Sequence, residues 1–332
     1  MRILSFFTLS LSLQLPLLSA YMEHFEKWVK EHNINFRNKH HLYDVVRKWL
    51  TNDEYIDNIN LEGRCYKLGH NQFSGMDELD FIHYIRLNSV QQPTLRQYIN
   101  GSNIRIELPT NIDWRTKNAV TPVKDQGQCG SCWSFSATGA LEGIYAITTG
   151  KLVSFSEQQL VDCDNLKNGG KDHGCNGGLM DSAFEWISKN GGLCSEGDYP
   201  YISSNGQTQK CQTTCSQVPN SKIQSWVDVQ ANDNSFMTAL SQQPVSIAIE
   251  ADQKDFQLYS SGVFTGKCGT TLDHGVLSVG YGTQDSEDYY LVKNSWGTTW
   301  GEQGYIKLGR GKQYNDGQGQ CGILLEASYP II

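Results

Sequence analysis

Pro122-Val123-Lys124-Asp125-Gln126-Gly127-Gln128-Cys129-Gly130-Ser131-Cys132-Trp133 is the stretch that decides how this chain is read. Two cysteines lie three positions apart, and Gly127 and Gly130 precede or open a helical run. From Ser131 to Thr148 the spacing of Trp133, Ala137, Ala140, Leu141 and Ile144 predicts one apolar helical face, which puts Cys132 in the first turn. A thiol attacks a carbonyl only as thiolate, and a helix N-terminus beside an imidazolium stabilises that charge. Only two histidines follow residue 108. His173 sits two residues from Cys175 in a loop rich in Gly and Asn, so elimination leaves His274 as the base. The side-chain carbonyl of Asn294 is suited to accept the imidazole N–H and fix its tautomer, with Trp296 nearby to keep water from that bond. Asp273 is the rival orienter, but as the immediate neighbour of His274 it is expected to point away. Gln126 offers an amide that, with the Cys132 backbone N–H, would meet a tetrahedral oxyanion.

Each of these residues has a plainer reading. Cys132 alone suits a structural disulfide, and Cys129-x-x-Cys132 suits a thioredoxin-type redox pair. Cysteine parity argues against both. Of 10 cysteines, Cys65 stands alone in the first third and the rest begin at Cys129, an odd number of which one must stay free. No parallel-strand unit precedes the pair either. His274 by itself would be a core histidine and Asn294 a turn residue; their joint appearance with Gln126 and Cys132 outweighs that.

The 332 residues suffice for one large or two moderate domains. Met1 to Ala20 carries Arg2, an apolar run and a Ser19-Ala20 exit, the form of a secretory signal. A membrane span is the alternative, weakened by Gln14, Pro16 and shortness. In a secreted chain the cysteines read as disulfides before zinc ligands, and no metal or cofactor is expected. The net charge of −8 falls wholly after residue 107, which argues against a nucleic-acid partner. No membrane partner is expected, and the chain is expected to be a monomer.

From Tyr21 the spacing of Phe25, Trp28 and Val29 and then Leu42, Val45, Val46, Trp49 and Leu50 is helical, and another short helix fits Asp77 to Leu87. Residues 88–107 turn polar around Pro93 and Gly101, and Asn100-Gly101-Ser102 is the one glycosylation sequon, at Asn100. Further helices fit Ser156 to Cys163 and Met180 to Asn190. Past about Lys222 alternating apolar runs such as Val245 to Ile249 and Tyr289 to Val292 predict strands. A helical half therefore precedes a strand-rich half. The segments expected are 1–20, a signal; 21–107, a removable leader; and 108–332, the main body.

Together with Cys175-Asn176-Gly177-Gly178 and Asn294-Ser295-Trp296-Gly297, the opening stretch resembles the papain family of cysteine proteases, in its cathepsin L group, from about Tyr21 onward. The resemblance implies an α+β fold with a helical domain (about 117–218) against a β-barrel-like domain (about 219–328) and the site in the cleft between them. It implies Cys132, His274 and Asn294 as the catalytic set, Gln126 as oxyanion donor, and an endopeptidase acting on proteins and peptides. It also implies cystatin-type inhibitors as partners and a mostly helical inhibitory propeptide over 21–107. The stretch between Cys163 and Cys175 lacks a paired-histidine insertion that would cap the cleft, which disfavours an exopeptidase. A non-catalytic binding relative is disfavoured because all four catalytic positions are present.

The family's propeptide motif, Glu-x3-Arg-x3-Phe-x2-Asn-x3-Ile-x3-Asn, falls on positions 41 to 60. Asn52, Ile56 and Asn60 match, Trp49 replaces Phe, and His41 and Val45 depart. A second motif, Gly-x-Asn-x-Phe-x-Asp, fits Gly69, Asn71 and Phe73 but ends in Gly75. As a replacement for the missing charges, the histidines at 24, 32, 40, 41, 70 and 83 are taken as a candidate acid sensor. The family pattern implies disulfides Cys129–Cys175, Cys163–Cys211 and Cys268–Cys321, leaving Cys194 and Cys215 as a fourth pair. It places Leu179, Met180, Ala248, Leu272, Gly275 and Glu326 around the pocket for the P2 residue, the second before the scissile bond. That lining favours an apolar P2, with Glu326 adding Arg. Gly177 and Gly178 should present bare backbone to an extended substrate, with Trp296 bordering the site. A lysosomal or an extracellular location fits the signal.

Overall fold

The side chain of Asn38 accepts the His41 amide and starts a long helix, α2 (Lys39–Leu61), after a first helix, α1, described over 21–31. The computed structural model describes residues 21–86 and 107–332. The signal-like run and the Asn100 sequon lie outside the described residues. Val45, Trp49, Asn52, Ile56 and Ile59 recur at spacings of three and four, so α2 buries one face. Its first half packs on Phe25 and Trp28 of α1, with the Phe25 and Trp49 rings edge to face at 5.6 Å. Its second half turns Ile56 and Ile59 into a core shared with the main body.

Strand β1 (Tyr66–Leu68) and α3 (Glu78–Arg86) follow. The main body supplies β2 (Ile112–Asp113), α4 (Cys132–Thr149), α5 (Glu157–Cys163), α6 (Met180–Asn190) and β3 (Ser225–Asp228). Then come α7 (Asp233–Leu240), β4 (Val245–Ile249), α8 (Lys254–Gln257), β5 (Tyr259–Phe264), β6 (His274–Gln284), β7 (Glu287–Lys293), β8 (Tyr305–Gly309) and β9 (Glu326–Ile331). The strands form one nine-stranded sheet in the order β1-β5-β8-β7-β6-β4-β9-β3, with β2 added to β6. The leader thus contributes β1, which pairs antiparallel with β5 through Tyr66 opposite Gly262.

The spacing in α4 predicts an amphipathic helix, but every residue from Cys132 to Gly143 is buried. The helix contacts α5, α6, β4 and β6, so its first three turns leave no face for water, while Ile147 and Thr148 in its last turn are exposed. Small residues allow this approach. A Cβ on Gly139 would stand 2.7 Å from Leu277, and one on Gly143 would stand 2.6 Å from Pro244. Buried hydroxyls are satisfied across the interface, as where Ser136 Oγ donates to Val276 O at 2.7 Å.

Candidate active site

Cys132 is the first residue of α4, so its own N–H and that of Trp133 have no carbonyl one turn back within the helix. The helix start is held from outside. Gly130 N donates to Cys175 O at 2.9 Å, and Cys129 and Cys175 are joined by a disulfide. Further disulfides join Cys163 to Cys211, Cys194 to Cys215 and Cys268 to Cys321, leaving Cys65 and Cys132 as thiols.

His274 opens β6, across the sheet from Ile249 of β4. The next amide in the chain, Gly275 N–H, lies 3.3 Å from Cys132 Sγ, which brings the start of β6 against the start of α4. His274 Nε2 is 2.8 Å from Asn294 Oδ1, and the backbone N–H of Ser295 donates to that same atom at 2.8 Å. An atom receiving an amide N–H is an acceptor, so Oδ1 is the carbonyl oxygen and Nε2 carries the ring hydrogen. The lone pair then resides on Nδ1, which is buried without a hydrogen-bond partner. Trp296 stacks on the imidazole at 4.7 Å and 21° and closes one face to solvent.

Gln126 is strapped to the same segment: its backbone N–H donates to Ser295 O at 2.9 Å, and Ser295 Oγ donates to its Oε1 at 2.6 Å. Its Nε2 donates to Cys129 O at 3.0 Å. Asp273 points elsewhere, accepting Ala251 N–H at 2.8 Å, and burial pushes its carboxyl up to about 8. His173 is exposed, with its backbone bonded to Gly177 O.

Burial pushes the Cys132 thiol up to about 12, opposed by the Gly275 and Trp133 amides, and pushes His274 down to about 4, opposed by Asn294. Both directions favour a neutral thiol beside a neutral imidazole. The leader causes part of this burial. Phe73, Phe81 and Tyr84 pack edge-on against Trp296 at 5.2, 5.8 and 6.2 Å. Gln72 Nε2 donates to Trp296 O at 2.5 Å, and Tyr84 OH donates to Gly127 O at 2.9 Å.

Residues 108–331 match the family model described as papain family cysteine protease. The chain belongs to the papain family of cysteine proteases. It is 43% identical over 311 residues to the senescence-specific cysteine protease SAG39 of Oryza sativa subsp. japonica, covering 92% of this chain and 88% of that one. Its structure is similar to the proform of the ragweed pollen cysteine protease Amb a 11, with a TM-score of 0.81, 39% identity and 95% of each chain covered. It is also similar to the Carica candamarcensis cysteine protease CMS1MS2 in complex with E-64, with a TM-score of 0.61, 43% identity, and 67% of this chain and 98% of that one covered. This papain-family chain is therefore a cysteine endopeptidase made as a zymogen with an α+β fold and an N-terminal helical leader.

The residues read as a P2 pocket converge in this papain-family fold. Gly275, Ala248 and Glu326 stand opposite one another on β6, β4 and β9, forming one row across the sheet. Met180 Sδ would be 3.2 Å from a Cβ on Gly275, Leu179 is the N-cap of α6, and Leu272 packs on the same apolar cluster. Asp181 and Asp228 belong to the surroundings of Glu326 and were not singled out in the sequence. Burial raises the Asp181 carboxyl, and the nearby Asp228 and Glu326 raise it further. Sequence reading also missed a buried network behind the site. Lys124 Nζ contacts Glu142 at 3.1 Å and Glu157 at 2.5 Å, while Lys293 Nζ donates to Thr121 at 2.9 Å. Burial pushes Lys293 down to about 8. Its one sequence signal is a lysine ending the apolar run Tyr289 to Val292, directly before Asn294.

Proposed function

We propose that this endopeptidase cleaves peptide bonds through Cys132, His274 and Asn294, with Gln126 and the Cys132 N–H receiving the oxyanion. The observation that carries this reading is the tautomer set by Asn294, which leaves the Nδ1 lone pair of His274 as the proton acceptor at a helix-start thiol. The thiol proton passes to His274, Sγ bonds to the substrate carbonyl carbon, and the negative charge moves to its oxygen. As that oxygen recloses the carbonyl, the C–N bond breaks and the imidazolium protonates the leaving amine. Water, losing a proton to the same imidazole, hydrolyses the thioester and restores the thiol. No cofactor is required.

Residues 21–107 act as its inhibitor by holding Trp296 and keeping the thiol–imidazole pair neutral. Gly177 and Gly178 bind extended peptide backbone. The Gly275–Ala248–Glu326 row with Leu179, Met180 and Leu272 takes an apolar P2 side chain, and Glu326 takes Arg. Four disulfides support a secretory route, to a lysosomal or extracellular site. The test is alkylation and turnover of processed enzyme. Iodoacetamide should modify Cys132 and abolish peptide cleavage, and Cys132→Ala should be inert. Cleavage surviving in Cys132→Ala would end the proposal.

A further inference from the structure

Two buried aspartates flank the glycine loop and take no part in the mechanism above. Asp164 and Asp172 are 0% and 3% exposed. Asp172 Oδ1 accepts Leu179 N–H at 2.9 Å, and Asp164 Oδ1 accepts Lys171 N–H at 3.1 Å. The two carboxyls face each other within hydrogen-bond reach, and the Oδ2 of each is buried with no N–H or hydroxyl partner. Two carboxylate oxygens form no hydrogen bond without a proton between them.

Gly178 is wedged against this pair. A Cβ there would lie 2.7 Å from Asp172 Cγ and 2.6 Å from the Trp133 ring, so Asp172 touches Gly178 and bonds the amide directly after it. Gly177 O is occupied by His173 N. Among the described residues nothing bonds the amide or carbonyl of Gly178, which leaves both for an extended peptide.

We infer that Asp164 and Asp172 share one proton, and that this carboxyl–carboxylate bond positions the Gly178 backbone for substrate. The inference rests on the protease reading above. Loss of the proton would leave two like charges in contact without water, and the loop Asp164–Leu179 would relieve them by moving Gly178 off Trp133. Burial raises both carboxyls; Asp164 raises Asp172 further, while on Asp164 the hydrogen bond to Asp172 opposes the rise and Glu185 of α6 adds to it. Lys171 opposes it on Asp172, but its Nζ is engaged by Glu185 at 2.5 Å, and Glu185 is shared with Lys189. The remaining titratable neighbours face away or are committed: His173 is exposed, and Asp162 bonds Gln158, Tyr199 and the Gln209 amide.

The experiment uses processed enzyme, its active thiol titrated, with a peptide spanning P3 to P1, and follows KM and kcat separately from pH 5 to 9. Wild type should show KM rising about tenfold on the alkaline side, in excess of any change in kcat. In Asp164→Asn the amide donates to Asp172 Oδ2 and has no proton to lose, so KM should be flat across that limb. Asp164→Ala should carry the high KM at every pH. The pH profile of Cys132 alkylation by iodoacetamide, which does not involve Gly178, should be the same in all three. An alkaline KM limb retained in Asp164→Asn, or absent from wild type, overturns the inference. Wild type that alkylates at Cys132 yet cleaves no peptide would instead sink the protease reading, and this one with it.

Discussion

The Asp255 carboxylate is one of the points that fasten the leader to the main body, and removing two hydroxyls should measure that fastening. Asp255, in α8, accepts the hydroxyls of Tyr55 and Tyr66 on separate oxygens and the Arg64 guanidinium at 3.0 Å. Its side chain is 9% exposed, so water compensates little for a lost partner. A hydrogen bond to a charged group contributes roughly 1.5–3 kcal/mol, but two on one carboxylate are not additive. For Tyr55→Phe/Tyr66→Phe we therefore expect the closed zymogen to lose about 3 kcal/mol, or about 150-fold in its closed-to-open ratio. The assay is the initial rate of a small fluorogenic peptide with unprocessed zymogen at neutral pH, integrity being checked by gel. Residual turnover should rise by about two orders of magnitude, toward the ceiling set by processed enzyme. Both tyrosines leave with the leader, so the processed enzymes are identical chains and serve as the control. Residual turnover within about twofold of wild type would refute the claim that Asp255 is a principal anchor.

Two further outcomes depend on pH. Burial lowers both His32 and His70, the latter despite Asp53 at 2.9 Å. The folded leader thus binds fewer protons than the unfolded one as pH falls below 6.5, and stability that is full above 6.5 is lost toward the lower folded values, at up to about 1.4 kcal/mol per pH unit for each proton. His32→Gln/His70→Gln should flatten the acid dependence of self-processing between pH 6.5 and 4, and an unchanged slope would count against these two rings. At the P2 row, burial and the nearby Asp228 and Glu326 raise the Asp181 carboxyl, so negative charge there grows as pH rises. The ratio of P2-Arg to P2-Leu cleavage should therefore climb with pH in wild type and stay low in Glu326→Ala; equal ratios in the two enzymes would refute it.

Where chemistry demands a residue type, the sequence was legible. The helix-start thiol, the histidine left by elimination and the asparagine after β7 are brought together across three elements. The helices α2, α5 and α6 follow from apolar spacing and from caps such as Ser156, which accepts the Gln159 amide. What stayed hidden depends on contacts between distant segments. Periodicity describes one partner, so it gave α4 a single apolar face and missed the second layer that buries the rest. Strand β1 has three residues and exists because β5 offers an edge. The Asp164–Asp172 pair and the Lys124–Glu142–Glu157 network bring together residues of either like or opposite charge whose spacing carries no signature.

The departures from the leader motifs become one feature in space. The motif places Arg at position 45 and Asp at position 75, and this chain has Val45 and Gly75. A Cβ on Gly75 would lie 3.0 Å from Val45 Cγ1 and 2.9 Å from Trp28, so the two positions face each other with Trp28 filling the gap. Both charges are lost together and apolar packing stands in their place. A buried Val side chain contributes roughly 1.5–3 kcal/mol, and unlike an Asp it has no proton to gain on acidification. Acid sensitivity at this spot has therefore been removed from the Val45–Gly75 contact itself. The titratable rings bordering the same cluster are His32, 6.1 Å from Trp28, and His70, stacked on Trp49 at 4.3 Å. Of the six early histidines these two border packed indoles, while His24, His40 and His83 are exposed and His41 is half-buried beside Phe36, its Nδ1 accepting the Arg37 N–H. Where the family motif has charge this leader has hydrocarbon, and the titratable rings beside that core are His32 and His70, which is why acid dependence of self-processing is expected to weaken when both are replaced by Gln.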